Sequence, residues 1–149
     1  MPQPYQPNVE LLMVAWLRSL PGIPPDGVAT SLPGDPAAWA ALGFVQVTSV
    51  GGSPAVHTPL RNPVVQLDCW ANNPNSQKPP WGKASALMET IVAACYANNQ
   101  QRVLTMPEGF SNARLLAVYP LIEPRRVLGD EASFARLSVD LSVTWSVAA

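Results

Sequence analysis

Apolar positions early in the chain follow a helical beat. Val9, Leu12, Met13, Trp16, Leu17 and Leu20 fall at i, i+3, i+4, i+7, i+8 and i+11, the stripe of one helix face. Asn8 stands where a cap is needed, and Pro21 and Gly22 end the pattern. Residues 22–36 are rich in Pro, Gly and Asp and read as a loop, with one short extended piece around 28–32. Asp35 followed by Pro36 is a cap and first-turn signature, which predicts a short helix over 36–42 closed by Gly43. The beat then changes to two. Residues 44–50 are dense in Phe, Val and Thr, and 64–71 alternate with Val65, Leu67, Cys69 and Ala71 on one face, so the two predict partner strands. The segment between them, GGSPAVHTPLRNP, is too long and Pro-rich for a tight hairpin and reads as a projecting arm around 51–63.

After a second Pro- and Asn-rich linker, residues 80–97 carry the clearest helical stripe: Ala84, Leu87, Met88, Ile91, Val92 and Cys95. The opposite side is unusual. Ala86, Thr90, Ala93 and Ala97 form a second stripe of small residues where an exposed helix normally shows charge, with Lys83 and Glu89 its only charged members. The last third predicts two strands, 114–122, with an edge or a bend at Pro120, and 133–147. In the latter, Ala135, Leu137, Val139, Leu141, Val143, Trp145 and Val147 face one way and polar residues the other, apart from Phe134. Together these elements predict an α+β fold. It is a single domain spanning 1–149, with a sheet of about four strands, mostly antiparallel, and two long helices packed on one face.

Composition narrows what such a domain does. A chain of 149 residues buries roughly 70% of its unfolded surface, so neither a disulfide nor a metal is required for stability. Only 13% of residues are charged, against about 25% in an average soluble protein, while 48% are apolar. Two readings weigh evenly: partners cover part of the surface, or the surface is simply rich in Pro, Ala and Ser. A net charge of −1 argues against a dedicated nucleic-acid binder, although Arg61, Arg114, Arg125, Arg126 and Arg136 remain able to form a local patch. No basic leader precedes an apolar stretch, and no apolar run approaches the ~20 residues that span a bilayer, so a soluble, unexported protein is expected. Cys69 and Cys95 lie on apolar stripes and read as buried thiols in a reducing compartment.

Candidate chemistry is sparse. The one histidine, His57, lies in the Pro-rich arm, where nothing guarantees the fixed neighbour a general base needs. No CxxC, HxxxH or clustered carboxylate spacing points to a metal, and GGSP at Gly51 neither opens a helix nor precedes Lys-Ser or Lys-Thr. Asp68 and Asp140 share the polar face, where a salt-bridged or solvated pair is the plainer reading. Of the five tryptophans, Trp16 and Trp145 fall on core positions and Trp39 in the short Ala-rich segment. Trp70, on the polar-face parity of its strand, and Trp81, at the start of the long helix, are the better interface candidates.

The run FVQVTSVGG, a Pro-rich arm, TPLRNPVVQLDCWA, the helix KASALMETIVAAC and the alternating strand ARLSVDLSVTWSV, in that order, resemble tail terminator (tail completion) proteins of long-tailed actinobacteriophages, with a lambda-type tail terminator fold. The resemblance covers residues 9–147 and rests on pattern and order. It implies a structural virion protein with no catalytic residue, cofactor or metal. Six copies would form a ring that caps the tail tube, stops its polymerisation and joins it to the head connector. The partners so implied are further copies of the chain, the major tail tube protein and a head–tail connector or stopper, with DNA passing through the lumen unbound and no membrane involved. The virion's tail or neck is the implied location, after assembly in the host cytoplasm. Arg61, Trp70, Trp81, Ala86, Ala93, Arg125 and Arg126 are the candidate interface or lumen residues. A head-completion or stopper protein of the neck is the alternative within the class, and a small α+β enzyme of the thioesterase or cyclase kind the alternative outside it.

Overall fold

A computed structural model describes residues 4–35, 39–53, 56–73, 75, 78–97, 101–128 and 133–148. Helix α1 (Val9–Arg18) starts where its cap predicts, the Asn8 side chain accepting a hydrogen bond from the Leu11 N–H at 2.8 Å. Helix α2 (Trp81–Cys95) has no side-chain cap and begins after Pro80. Lys83 ties it down instead, its Nζ donating to the carbonyls of Ala40 and Ala41 at 3.2 and 3.0 Å.

The strands are β1 (Val28–Ala29), β2 (Phe44–Gly52), β3 (Pro63–Asn72), β4 (Arg102–Leu104), β5 (Ala113–Pro120), β6 (Arg125–Arg126) and β7 (Phe134–Val147). They form one seven-stranded sheet in the order β1-β2-β3-β7-β5-β4, with β6 also paired to β7. The sheet is mixed, because β1 runs parallel to β2 while every other pairing is antiparallel. The expected sheet of about four mostly antiparallel strands with two long helices is therefore overturned: the fold is mostly β, a curled, mixed half-barrel with two helices. β4 and β6, which escaped sequence reading, and β1, read only as a short extended piece around 28–32, are two or three residues long, too short to display a period, and form where a longer neighbour offers an unpaired edge. Of the short helix expected over 36–42, residues 36–38 lie outside the described residues and 39–42 form a turn. Gly43 follows that turn at φ +86°, a conformation in which a Cβ would also press on the Trp70 carbonyl at 3.1 Å.

Alternation along the strands sorts their side chains between two faces. Val45, Val47, Val65, Leu67, Val139, Leu141 and Trp145 join Leu12, Met13, Trp16, Met88 and Ile91 of the helices in the main core. On the other face a smaller aromatic cluster gathers Trp39, Phe44 and Trp70, with Phe134 packed against it. Partner strands β2 and β3 pair down to Gly52 and Pro63, with a shift of register between Ser49 and Gly51. The expected arm thus begins and ends as sheet, and Arg61 adds an isolated bridge to Trp145 of β7.

Candidate assembly surfaces

Consecutive residues of a strand point to opposite faces, and this separates the two arginines of β6. Arg125 lies opposite Ser138 and Arg126 opposite Leu137. Arg125 accordingly reaches the polar face, 4.0 Å from the Asp140 carboxylate. Arg126 turns to the helix face, where its guanidinium sits 4.5 Å above the Trp81 ring. The pair does not make one basic patch. Arg61 is also engaged, stacking 5.2 Å over the Trp145 ring beside its backbone bridge.

Trp70 is covered by its own chain. It is 9% exposed, meets Phe134 edge to face at 6.1 Å, donates its Nε1 proton to Gln46 Oε1 at 3.1 Å, and carries the Arg136 guanidinium 4.7 Å from its ring. Arg136 in turn pairs with Asp68 at 3.4 Å, and Gln66 donates to both Asp68 oxygens at 3.3 and 3.2 Å. The polar face is thus locked at one end by a chain of contacts from Gln46 through Trp70, Arg136 and Asp68 to Gln66. The structure joins Trp81 to Arg126 and leaves Arg61, Trp70 and Arg125 in separate places.

Ala86 and Ala93 lie on the exposed side of α2 with Gly82, Ser85, Glu89 and Ala97. Toward the C-terminal end this small-residue side becomes the wall of a cleft of about 580 Å³, lined by Trp16, Leu20, Thr90, Ala93, Ala97 and Arg102 among others. Arg102 donates from Nη2 to Ser19 Oγ, while its buried Nε has no partner. Sequence reasoning missed Arg102, because a lone arginine after a linker carries no signal until β4 places it beside the helix ends.

It also missed the kink at residues 121–124. Here β5 ends, Leu121 N–H still donates to Asp140 carbonyl at 2.8 Å, and β6 resumes the pairing with β7 at Arg125. The intervening knuckle exposes Leu121 and Ile122, each 48%, together with Glu123. Leu121 and Ile122 followed by Glu-Pro was the available clue, absorbed into the strand expected over 114–122.

His57 is exposed, and among the described residues no group of three or more His, Cys, Asp or Glu is placed to hold a metal. Burial pushes the Cys95 thiol up to about 12, and burial, reinforced by the Asp68 charge, pushes the Cys69 thiol up further still. No helix among the described residues is long and apolar enough to cross a membrane.

Fold and surface together define a class: a mostly-β half-barrel with two helices on one face and uncovered apolar features at its periphery. A chain from the virion of a native gene transfer agent particle shares that fold, with a TM-score of 0.54 and 11% identity over 81% of this chain and 79% of its own. A second solved chain, 13% identical over 95% of this chain and 98% of its own, aligns at a TM-score of 0.49, too low to carry an argument. No protein-family profile matches the chain, and no curated protein matches it in sequence.

Proposed function

We propose that this chain is a structural subunit of a phage-like virion, and within that class a tail terminator: a ring-forming protein that caps the tail tube, stops its growth and offers a surface to the head connector. The observation that carries this reading is the fold shared with a chain of a gene transfer agent virion. Two surface features support it. The outward side of α2 carries only Lys83 and Glu89 among Gly, Ser and Ala where a solvent-facing helix normally carries more charge, and the knuckle at 121–124 holds two large apolar side chains in water. These are different patches on one chain, the arrangement that head-to-tail rings use.

The mechanism is binding without covalent chemistry. A terminator occupies the growing end of the tube and hides the surface the next tube subunit needs, so growth stops by competition for one site. DNA passes the ring unheld. On the sheet's polar face Asp68 neutralises Arg136 and Asp140 faces Arg125, leaving few positive charges to grip phosphates.

Deleting the coding region from the viral or prophage genome that carries it, then measuring tails by negative-stain electron microscopy, tests the reading. Overlong tubes detached from filled heads are expected. Normal-length tails left unjoined would move the assignment to a connector or stopper, and intact infectious particles would overturn the structural role.

A further inference from the structure

The cleft at the ends of the two helices and the knuckle on the sheet carry opposite charges in Arg102 and Glu123, yet they cannot meet within one chain. The cleft is walled by Leu20, Ala93 and Ala97 over a Trp16 floor, and among the described residues its only charged lining residue is Arg102. Ser19 and Thr90 add polar groups to this lining, and Arg102 holds a buried Nε without a partner while its Nη2 donates to Ser19 Oγ, so the cleft is mixed in polarity with one cation at its wall. The knuckle presents the converse. Leu121 and Ile122 are two half-exposed apolar side chains, and the next residue, Glu123, forms no hydrogen bond or ion pair with any described residue. Arg102 pairs opposite Leu115, and β5 runs on from there to Pro120 before the knuckle begins, which sets cleft and knuckle roughly 15–20 Å apart. Glu123 therefore does not reach the Arg102 of its own subunit.

We infer that two copies of this chain associate by seating the knuckle of one, through Leu121, Ile122 and Glu123, in the α1–α2 cleft of the next, with the Glu123 carboxylate meeting Arg102. The inference deepens the ring reading above and rests on it. A volume of about 580 Å³ is within the range of sites that enclose a small ligand, and two aliphatic side chains fill the same kind of space. Because cleft and knuckle are different patches, each copy has one of each to offer, and the contact propagates head to tail until the rotation closes. The carboxylate fixes the register of insertion, and the two apolar residues supply the burial.

The test uses the full purified chain. With p-benzoylphenylalanine in place of Ile122, illumination is expected to cross-link two copies, and peptide mapping is expected to place the bond on the segments holding Trp16, Leu20 or Ala93 to Ala97. Sedimentation velocity from micromolar to millimolar concentration is expected to show self-association that Glu123→Arg and Arg102→Glu each weaken about tenfold. Mixing the two variants restores it, since every knuckle then faces an opposite charge. Glu123 is exposed, so its substitution leaves folding intact and an unfolded Arg102 variant does not blunt the experiment. A cross-link mapped elsewhere, capture of a different virion protein in assembled particles, or a monomer at every concentration would each overturn the inference. An overlong-tail deletion phenotype without the cross-link would leave the terminator reading standing and remove only this contact.

Discussion

Asp68 is a carboxylate with 2% of its surface exposed, tolerable because Arg136 and Gln66 both hold it. Removing one partner of a fully buried ion pair costs ~3–5 kcal/mol, but the Arg136 side chain keeps 24% of its surface in water and is partly screened. Asp68→Ala is thus expected to cost about 2 kcal/mol in urea denaturation, and Asp68→Asn, which still offers Gln66 an acceptor, clearly less. Equal losses would mean that the charge contributes nothing. The two cysteines give a second residue-level expectation. With both thiols raised above their ordinary range by burial, neither is significantly ionised at pH 8, and the native chain should react with a disulfide reagent only as fast as it unfolds. Prompt release of one equivalent would place Cys95, the less buried of the two, at the surface.

Elements long enough to repeat their period were legible from sequence. Helix α1 shows its stripe three times over and carries its own cap in Asn8, and β7 alternates from Ala135 to Trp145 without a break. Shorter elements were less so: β4 and β6 were not read at all, and β1 only as a short extended piece. Val28 and Ala29 have no pattern of their own and become a strand only through Val45 and Gln46. The same limit applied to surfaces. Parity placed Trp70 on the polar face, but its cover by Trp39 and Phe134 comes from segments far away in sequence. Ala86 and Ala93 were legible as uncharged positions, whereas the cleft beyond them needed α1, α2 and β4 side by side. At this scale α2 makes a paired expectation. Ala84→Arg forces a long cation into a fully buried site and should unfold the chain, while Ala86→Arg on the exposed side should leave stability within about 0.5 kcal/mol. If a neighbour covers that side, the Ala86 variant also fails to support tails of normal length in complementation. Normal tails would mean that the side faces solvent in the particle.

Seen as a whole, the molecule is organised around β7, which pairs with β3 along one edge and with β5 and β6 along the other. Neither half of the sheet reaches the other without it. The knuckle is suspended between β5 and β6, both of which pair with β7, and the cleft depends on β4, which hangs from β5. Contacts such as Asp68 with Arg136, 68 residues apart, close late and slowly in a folding chain, since the intervening loop entropy must be overcome first. Before β7 inserts, the knuckle has no support and the cleft no fixed wall. A half-folded chain therefore offers a neighbour neither half of the proposed contact, and maturation of the subunit becomes its own checkpoint, with competence to join arriving in the same cooperative step that completes the sheet.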